Sequence, residues 1–479
     1  MYRYSLFTVL FLTVLAGGTA GAQNLCPPGV PSDKMICLIP QIYGPNGLVT
    51  GGGVNYPSGA SSKLDFASGS LRPVNTAIVS QAASLPFASP SSGITFAWDP
   101  AAKVFAPSAG SLGPIVGDRA ETIGRGKVFV GFDYQYFQFG TFDGVSLKDL
   151  PVVFTQPDNS VAVPPQTCSL NGFVTDTVNT GPCAFIRDVI TVKNRLDLKV
   201  SQFITVVNFG VLNRLDVSMV IPMETVRMGI SSNATVVNNS NSPFHFFDRR
   251  PGCGSLGPPP VSCMNQQFSN VRTASGIGDM IMRVKGTAWK GERAALALGA
   301  DIRFPTGDAM NYLGSGAAGV QPFLTWSRNG RISPHALVGY QVNGSSVIAG
   351  DIITGSKERL PSQLTYSGGA DVWLTKRITV AADLVGEQVF QARRLSKTTL
   401  TEMGGCTQVY PACAAPFAPA NVDPALSAST RSVNISSVSL GAKWKPLSTV
   451  LITSNVLIRV NDGGLHAGVV PLVGVSYTF

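Results

Sequence analysis

From Lys127 to the end of the chain, apolar and polar positions alternate with a period of two. Val128, Val130, Phe132, Tyr134 and Tyr136 share one parity, and Asp133 and Gln135 share the other. The pattern is sharpest over Ile190–Phe203. Ile190, Val192, Leu196, Leu198 and Val200 alternate there with Lys193, Arg195, Asp197 and Lys199. Side chains of a strand point alternately to its two faces, so this period predicts β-structure with one apolar and one polar face. The alternation recurs in pairs joined by short turns. A strand to about Phe209 leads through Gly210–Asn213 into Arg214–Met228, and Gly276–Trp289 leads into Ala294–Pro305. Gly319–Arg328 leads into Ile332–Asn343, Thr365–Leu374 into Ile378–Phe390, and Ser432–Lys445 into Thr449–Asn461. Ala467–Phe479 is the last strand, with Val473, Val475, Tyr477 and the terminal Phe479 on one parity.

The connections alternate as well. Between the pairs lie long Gly/Pro-rich stretches, roughly 140–189, 230–275, 306–318, 344–364 and 391–431. Short turns at one end and long loops at the other are the arrangement of a transmembrane β-barrel, whose strands need only ~9–11 residues to cross. The fold expected is all-β: a closed antiparallel transmembrane barrel of about 12 strands, or 14 if a weak hairpin at Ile94–Pro107 joins the wall. The short turns would face the periplasm and the long loops the exterior. Residues 121–479 form this barrel. Residues 23–120, rich in Gly, Ser and Pro with a short helix expected near Val74–Ala83, form an extension or a plug. If the apolar parity of each strand faces lipid, the charged parity lines the lumen. Lys193, Arg195, Asp197, Lys199, Arg283, Lys285, Asp301 and Arg303 are then lumen-facing, where they either brace a wet interior or tune what passes.

Composition supports export. Charged residues are 13% of 479, and mean hydropathy is +0.20. Arg3, the apolar run Leu6–Ala16 and the small residues Ala20 and Ala22 read as a signal peptide over 1–22. No later stretch is apolar for the ~18 residues a membrane helix needs, so a spanning chain must satisfy its backbone in a closed barrel. The eight cysteines fall in near pairs, Cys26/Cys37, Cys168/Cys183, Cys253/Cys263 and Cys406/Cys413. Each pair lies within one Pro/Gly-rich loop, so four sequential disulfides are expected in an oxidising compartment. The net charge of +9 is scattered, without a nucleic-acid motif.

Chemistry-bearing motifs are few. Gly314–Gly319 reads GSGAAG, but it precedes a strand where dinucleotide binding needs a helix. His335 follows Ser333 on one strand, without the strand–turn–helix context of a nucleophile. No catalytic residue, metal site or cofactor is expected.

Several segments resemble the outer-membrane transporter family named for a meta-pathway of phenol degradation. They are FGVLNRLDVSMVIP (209–222), SGIGDMIMRVKG (275–286), ALALGADIRFPTGD (295–308), LGSG (313–316), VQPFLTW (320–326), HALVGYQVNG (335–344) and the ending VGVSYTF. The resemblance spans roughly 190–479. It implies a bacterial outer-membrane barrel, similar to fatty-acid-type channels, passing small hydrophobic or aromatic solutes. The terminal strand also resembles the signal read by the barrel-insertion machinery. The partners expected are outer-membrane lipids, that machinery through Phe479, and a small apolar solute. The rival expectation is a structural or adhesive barrel that displays disulfide-closed loops and transports nothing.

Overall fold

The computed structural model describes residues 31, 33–43, 112–154, 189–237, 246–247, 261–350, 355–401 and 422–479, with the backbone of four short strands at Phe96–Asp99, Val104–Pro107, Ala162–Val163 and Gln166–Thr167. The expected signal peptide, the helix near Val74–Ala83 and six of the cysteines (Cys26, Cys168, Cys183, Cys253, Cys406, Cys413) lie outside the described residues. Cys37 and Cys263 are each disulfide-bonded.

Thirteen long strands build the wall. They are β1 (Val128–Phe142), β2 (Val189–Leu212), β3 (Leu215–Val237), β4 (Asn265–Ile277), β5 (Met280–Lys290), β6 (Ala294–Phe304) and β7 (Gly319–Arg328). The remainder are β8 (Ile332–Asn343), β9 (Gln363–Thr375), β10 (Ile378–Thr401), β11 (Val422–Trp444), β12 (Val450–Arg459) and β13 (Val469–Thr478). Each pairs antiparallel with its sequence neighbour, except that β3 pairs with both β4 and β5. β13 closes on β1, from Leu472 opposite Gln135 to Thr478 opposite Phe129. The Phe479 N–H donates to the Val128 carbonyl at 2.8 Å. The closed ring thus has 12 strands, with β4 prolonging the β3 ladder upward from β5. Closure removes the sheet edges that hydrocarbon would leave unsatisfied. The hairpin expected at Ile94–Pro107 does form, Phe96–Asp99 against Val104–Pro107, but as a separate two-stranded sheet outside the wall.

The turns fall as the pattern predicts, with Asn213 and Arg214, 291–293, 329–331, Lys376 and Arg377, and 445–449 all at one end. The other end is less regular than expected. Stretches read as loop carry strand instead: β3 runs to Val237, β4 occupies Asn265–Ile277, and β10 and β11 stay paired as far as Thr401 opposite Val422. These sections rise above the apolar girdle, so their outward faces meet water.

That height reverses one assignment. In the lower half the wall is apolar outside and polar inside. Phe203, Phe209, Trp326, Leu440 and Trp444 are exposed outward, while Asn208, Asp216, Lys285, Asp371 and Lys443 are buried. In the upper half of β2 the order inverts. Val192, Leu196, Leu198 and Val200 are buried inside, and Lys193, Arg195 and Asp197 are exposed outside with Lys199 partly so. The expectation that these four charged residues line the lumen is therefore corrected. Alternation separates two faces but does not say which one is wet, and here the inside is filled by an apolar segment. Arg283, Lys285, Asp301 and Arg303, lower on β5 and β6, do point inward and are buried. Single cysteines at Arg195 and Leu196 test the inversion. A membrane-impermeant maleimide is expected to label the first on whole cells at least about tenfold faster than the second, because a buried thiol is shielded.

Candidate functional site

Two inward segments divide the barrel interior. Residues 112–124 cross the lower lumen as an extended strap, and both its charge and its backbone are matched by the wall. The Asp118 carboxylate accepts from Arg283 Nη1 at 2.8 Å and Lys285 Nζ at 3.2 Å. Arg119 donates to Asp371 at 2.9 Å. Glu121 accepts from Ser327 Oγ and Asn329 Nδ2, both at 2.7 Å. Lys285 Nζ also donates to the Arg119 carbonyl, Thr287 Oγ1 to the Ala120 carbonyl, and the Ile123 N–H to Asp216. Buried charges and backbone groups need such partners, because an unpaired one costs its full desolvation. Two glycines make room for the strap. A Cβ on Gly117 would lie 2.7 Å from His335 Nε2, and one on wall residue Gly210 would lie 1.9 Å from the Gly124 carbonyl oxygen.

The roof is apolar. Met35, Ile36, Leu38 and Ile39 are buried within the upper barrel against Phe137, Leu198, Val226 and Met228. Each such side chain contributes about 1.5–3 kcal/mol by leaving water. Lys34 Nζ pairs with Asp308 at 2.7 Å, the Met35 N–H donates to Asn311 Oδ1, and Arg272 donates to the Lys34 carbonyl. Tyr43 shares a 3.0 Å hydrogen bond with Ser232. The inward-folded loop 305–318 completes the roof through buried Tyr312 and Leu313. Partial burial acts to raise the Asp308 carboxyl, but the hydrogen bond and charge of Lys34 and the donors Met310 N–H and Asn311 outweigh it, holding the group below the usual carboxylate range.

Between floor and roof lies a chamber of about 270 Å³. Val116 and Asp118 of the strap and Leu313 and Gly314 of the loop face it from the two ends. Its wall mixes Ile204, Val220, Ile281, Leu337, Val385 and Ile435 with Gln202, Glu224, Gln321, Gln363, Thr365 and Glu387. Glu224 and Glu387 stand on β3 and β10, six strands apart in a ring of 12 and so on opposite walls. Arg283 is spoken for: it grips Asp301 through Nε and Nη2, both at 2.6 Å, and its guanidinium lies 4.7 Å over the Phe323 ring. Arg303 donates to Asn343 at 2.8 Å, and its Nε lies 3.7 Å from Asp279.

The wall beside the chamber is irregular. The β5–β6 ladder ends at Met280 opposite Phe304. Above it, β4 pairs with β3 alone among the described residues. The Gly278 N–H donates to the Pro222 carbonyl, and the loop seals the site: Thr306 donates to the Gly278 carbonyl, and the Gly307 and Ser315 amides donate to Asp279. The glycines of 314–319 serve this loop, with Gly316 at φ +66°, and lead into β7 without a helix.

Of the eight residues expected in the lumen, Arg283, Asp301 and Arg303 line the chamber, Lys285 lies in the floor, and Lys193, Arg195, Asp197 and Lys199 are outside it. Sequence reading missed the strap. Its charged triplet Asp118-Arg119 with Glu121, inside an otherwise apolar and glycine-rich stretch, was the available signal. His335, weighed as a base, contacts Asp383 at 2.6 Å, while Ser333 Oγ donates to the Gly330 carbonyl in the turn. The histidine thus braces strands behind the strap.

Residues 190–400 match the family profile described as "Putative MetA-pathway of phenol degradation". No curated protein matches the chain. Among solved structures the chain is similar to an outer membrane channel from Pseudomonas putida F1, at TM-score 0.41 and 8% identity over 75% of this chain and 98% of that one. It is also similar to a Pseudomonas aeruginosa FadL homologue (TM-score 0.29, 10% identity, 82% and 98% covered). A third is the Ralstonia pickettii toluene transporter TbuX (TM-score 0.26, 10% identity, 74% and 90% covered).

Proposed function

From the family relationship of residues 190–400, we propose that this chain is a bacterial outer-membrane channel for small hydrophobic or aromatic solutes, passed without covalent chemistry or a cofactor. The outward apolar girdle supports the membrane setting: Phe209, Trp326, Trp444, Tyr477 and Phe479 are exposed around the short-turn end, as interfacial aromatics are. The observation that carries the transport reading is the chamber. A barrel that only displays loops has no need of a mid-height cavity, and one of about 270 Å³ suits a single-ring solute. The mixed lining lets an apolar body pack on Ile204, Val385 and Ile435 while the glutamines and Thr365 meet a polar substituent. Access would run through the lumen, past the strap, or laterally through the wall where β4 and β6 part beside Gly278.

Uptake of a radiolabelled monoaromatic probe, toluene or phenol, into vesicles carrying the protein tests this. Wild type is expected to exceed protein-free vesicles, and Val385→Trp, which fills the chamber, is expected to reduce the rate at least about tenfold by excluding the solute. Equal rates with and without protein would instead favour the structural or adhesive barrel.

A further inference from the structure

The outward face of β2 and β3 carries a charge imbalance that solute transport does not use. The last apolar row of this wall is Tyr134, Phe203, Met223 and Ile277, aligned across β1, β2, β3 and β4. Above it comes a hydroxyl row of Tyr136, Ser201, Thr225 and Ser275, in which Thr225 and Ser275 share a 2.9 Å hydrogen bond. The next row sets Lys199 directly opposite Arg227. Further up, Asp197 faces Gly229, Arg195 faces Ser231 and Lys193 faces Asn233. At about 3.3 Å per residue, Lys199 lies roughly 13 Å along the strand beyond Phe203, and Arg195 roughly 26 Å. Four cations and one carboxylate therefore occupy one outward face, from roughly 13 Å to roughly 33 Å along the strand beyond the apolar row.

Two features separate this patch from an ordinary solvated face. Like charges placed directly opposite across a ladder repel, yet Lys199 and Arg227 are so placed. Lys199 has Asp197 at 2.8 Å, but Lys193, Arg195 and Arg227 have no ion-pair partner among the described residues. The basic residues on the upper section of β10 are treated differently. Arg393 pairs with Glu358 at 3.4 Å, Arg394 with Asp143 at 2.8 Å and Lys397 with Asp149 at 3.2 Å. One section is neutralised from within, and the other leaves an excess of positive charge that begins at Lys199 and Arg227, two rows above the last apolar row. Gly229, in the middle of the patch, has no side chain and is flanked by exposed Val271 on β4.

We propose that Lys193, Arg195, Lys199 and Arg227 form a site for the phosphate groups of a glycolipid in the outer leaflet. The lipid's acyl chains would lie on the Phe203 and Met223 row below, and its phosphates would supply the missing counter-charge. Basic side chains just outside a hydrocarbon boundary attract anionic headgroups by this mechanism. The site stands on the membrane setting of the barrel and is independent of which solute the chamber takes.

Native mass spectrometry of the detergent-purified protein tests the proposal, with bisphosphorylated lipid A, dephosphorylated lipid A and inorganic phosphate as separate probes. Wild type is expected to retain bisphosphorylated lipid A. The variant Lys193→Gln, Arg195→Gln, Lys199→Gln, Arg227→Gln is expected to retain about tenfold less or weaker still. Arg393→Gln with Lys397→Gln, on the neutralised section, is expected to retain it as wild type does. Heat-modifiable electrophoretic mobility confirms that each variant is folded, since all six residues lie outside the lumen. Equal retention by the quadruple variant, equal retention of dephosphorylated lipid A, or full competition by inorganic phosphate at matched ionic strength would each overturn the glycolipid assignment.

Discussion

Deleting residues 23–120 is expected to turn a nearly silent barrel into a conducting one. The deletion removes the apolar insert Met35–Ile39 from the upper lumen and most of the strap, including Asp118 and Arg119, from the lower. What remains is a ring of 12 strands lined below by Asp216, Lys285, Asp371 and Lys443, groups that water can enter among once the strap is gone. Single-channel conductance in a planar bilayer should rise at least about tenfold over the full chain, because conduction needs a continuous wet path. The deleted form must show the heat-modifiable mobility of a closed barrel for the comparison to count. Unchanged conductance from a folded deletion would mean that the remaining loops, chiefly 305–318, close the lumen unaided. The plug reading of the N-terminal region would then fall.

The second large effect is expected at Arg283. Its guanidinium bridges the wall and the strap, with two bonds to Asp301 on β6 and one to Asp118. All three groups are buried. Arg283→Met is close in volume but leaves two carboxylates facing each other without the bridge. Breaking a buried pair in this way costs about 3–5 kcal/mol, whereas replacing all its members by neutral groups often costs little. The single variant should therefore unfold at clearly lower temperature or denaturant in detergent. Adding Asp301→Asn, with Asp118 still held by Lys285, should restore most of the loss. Similar stability of single and double variants would show that the contact of the Arg283 guanidinium with the Phe323 ring, not the charge of Asp301, sets the cost. The two experiments also inform each other, since an unfastened strap should raise the conductance of Arg283→Met toward that of the deletion.

Much of this architecture was legible in one dimension. A closed barrel must turn at each end and alternate along each strand, and both constraints write themselves into local sequence. The turns at Asn329-Gly330 and Pro446-Leu447, the strand count and the end of the wall at Phe479 follow from period and punctuation alone. The upper strands were harder. Stretches such as NATVV (233–237) and DPALSASTR (423–431) are polar enough to read as loop, because outside the bilayer neither face of a strand must be apolar. The strap was not legible as such. Its 13 residues carry no period, since an extended segment inside a lumen is surrounded on all sides and each residue answers to a different wall strand.

Local pattern along the chain sets the class of fold, its strands, its turns and the residue types of each face, because those depend on neighbours a few positions apart. Which face lies inside depends on contacts made when the ring closes. Lys193 and Lys285 sit in similar alternating runs, yet one is outside the barrel and the other lies in its floor. The difference is what fills the interior at each height. An apolar insert contributed from residues 33–43 draws Val192 and Leu196 inward, and a charged strap contributed from residues 112–124 draws in Arg283 and Lys285. Partners 165 and 167 residues away along the chain, brought together only when the ring closes, set the polarity of the lumen.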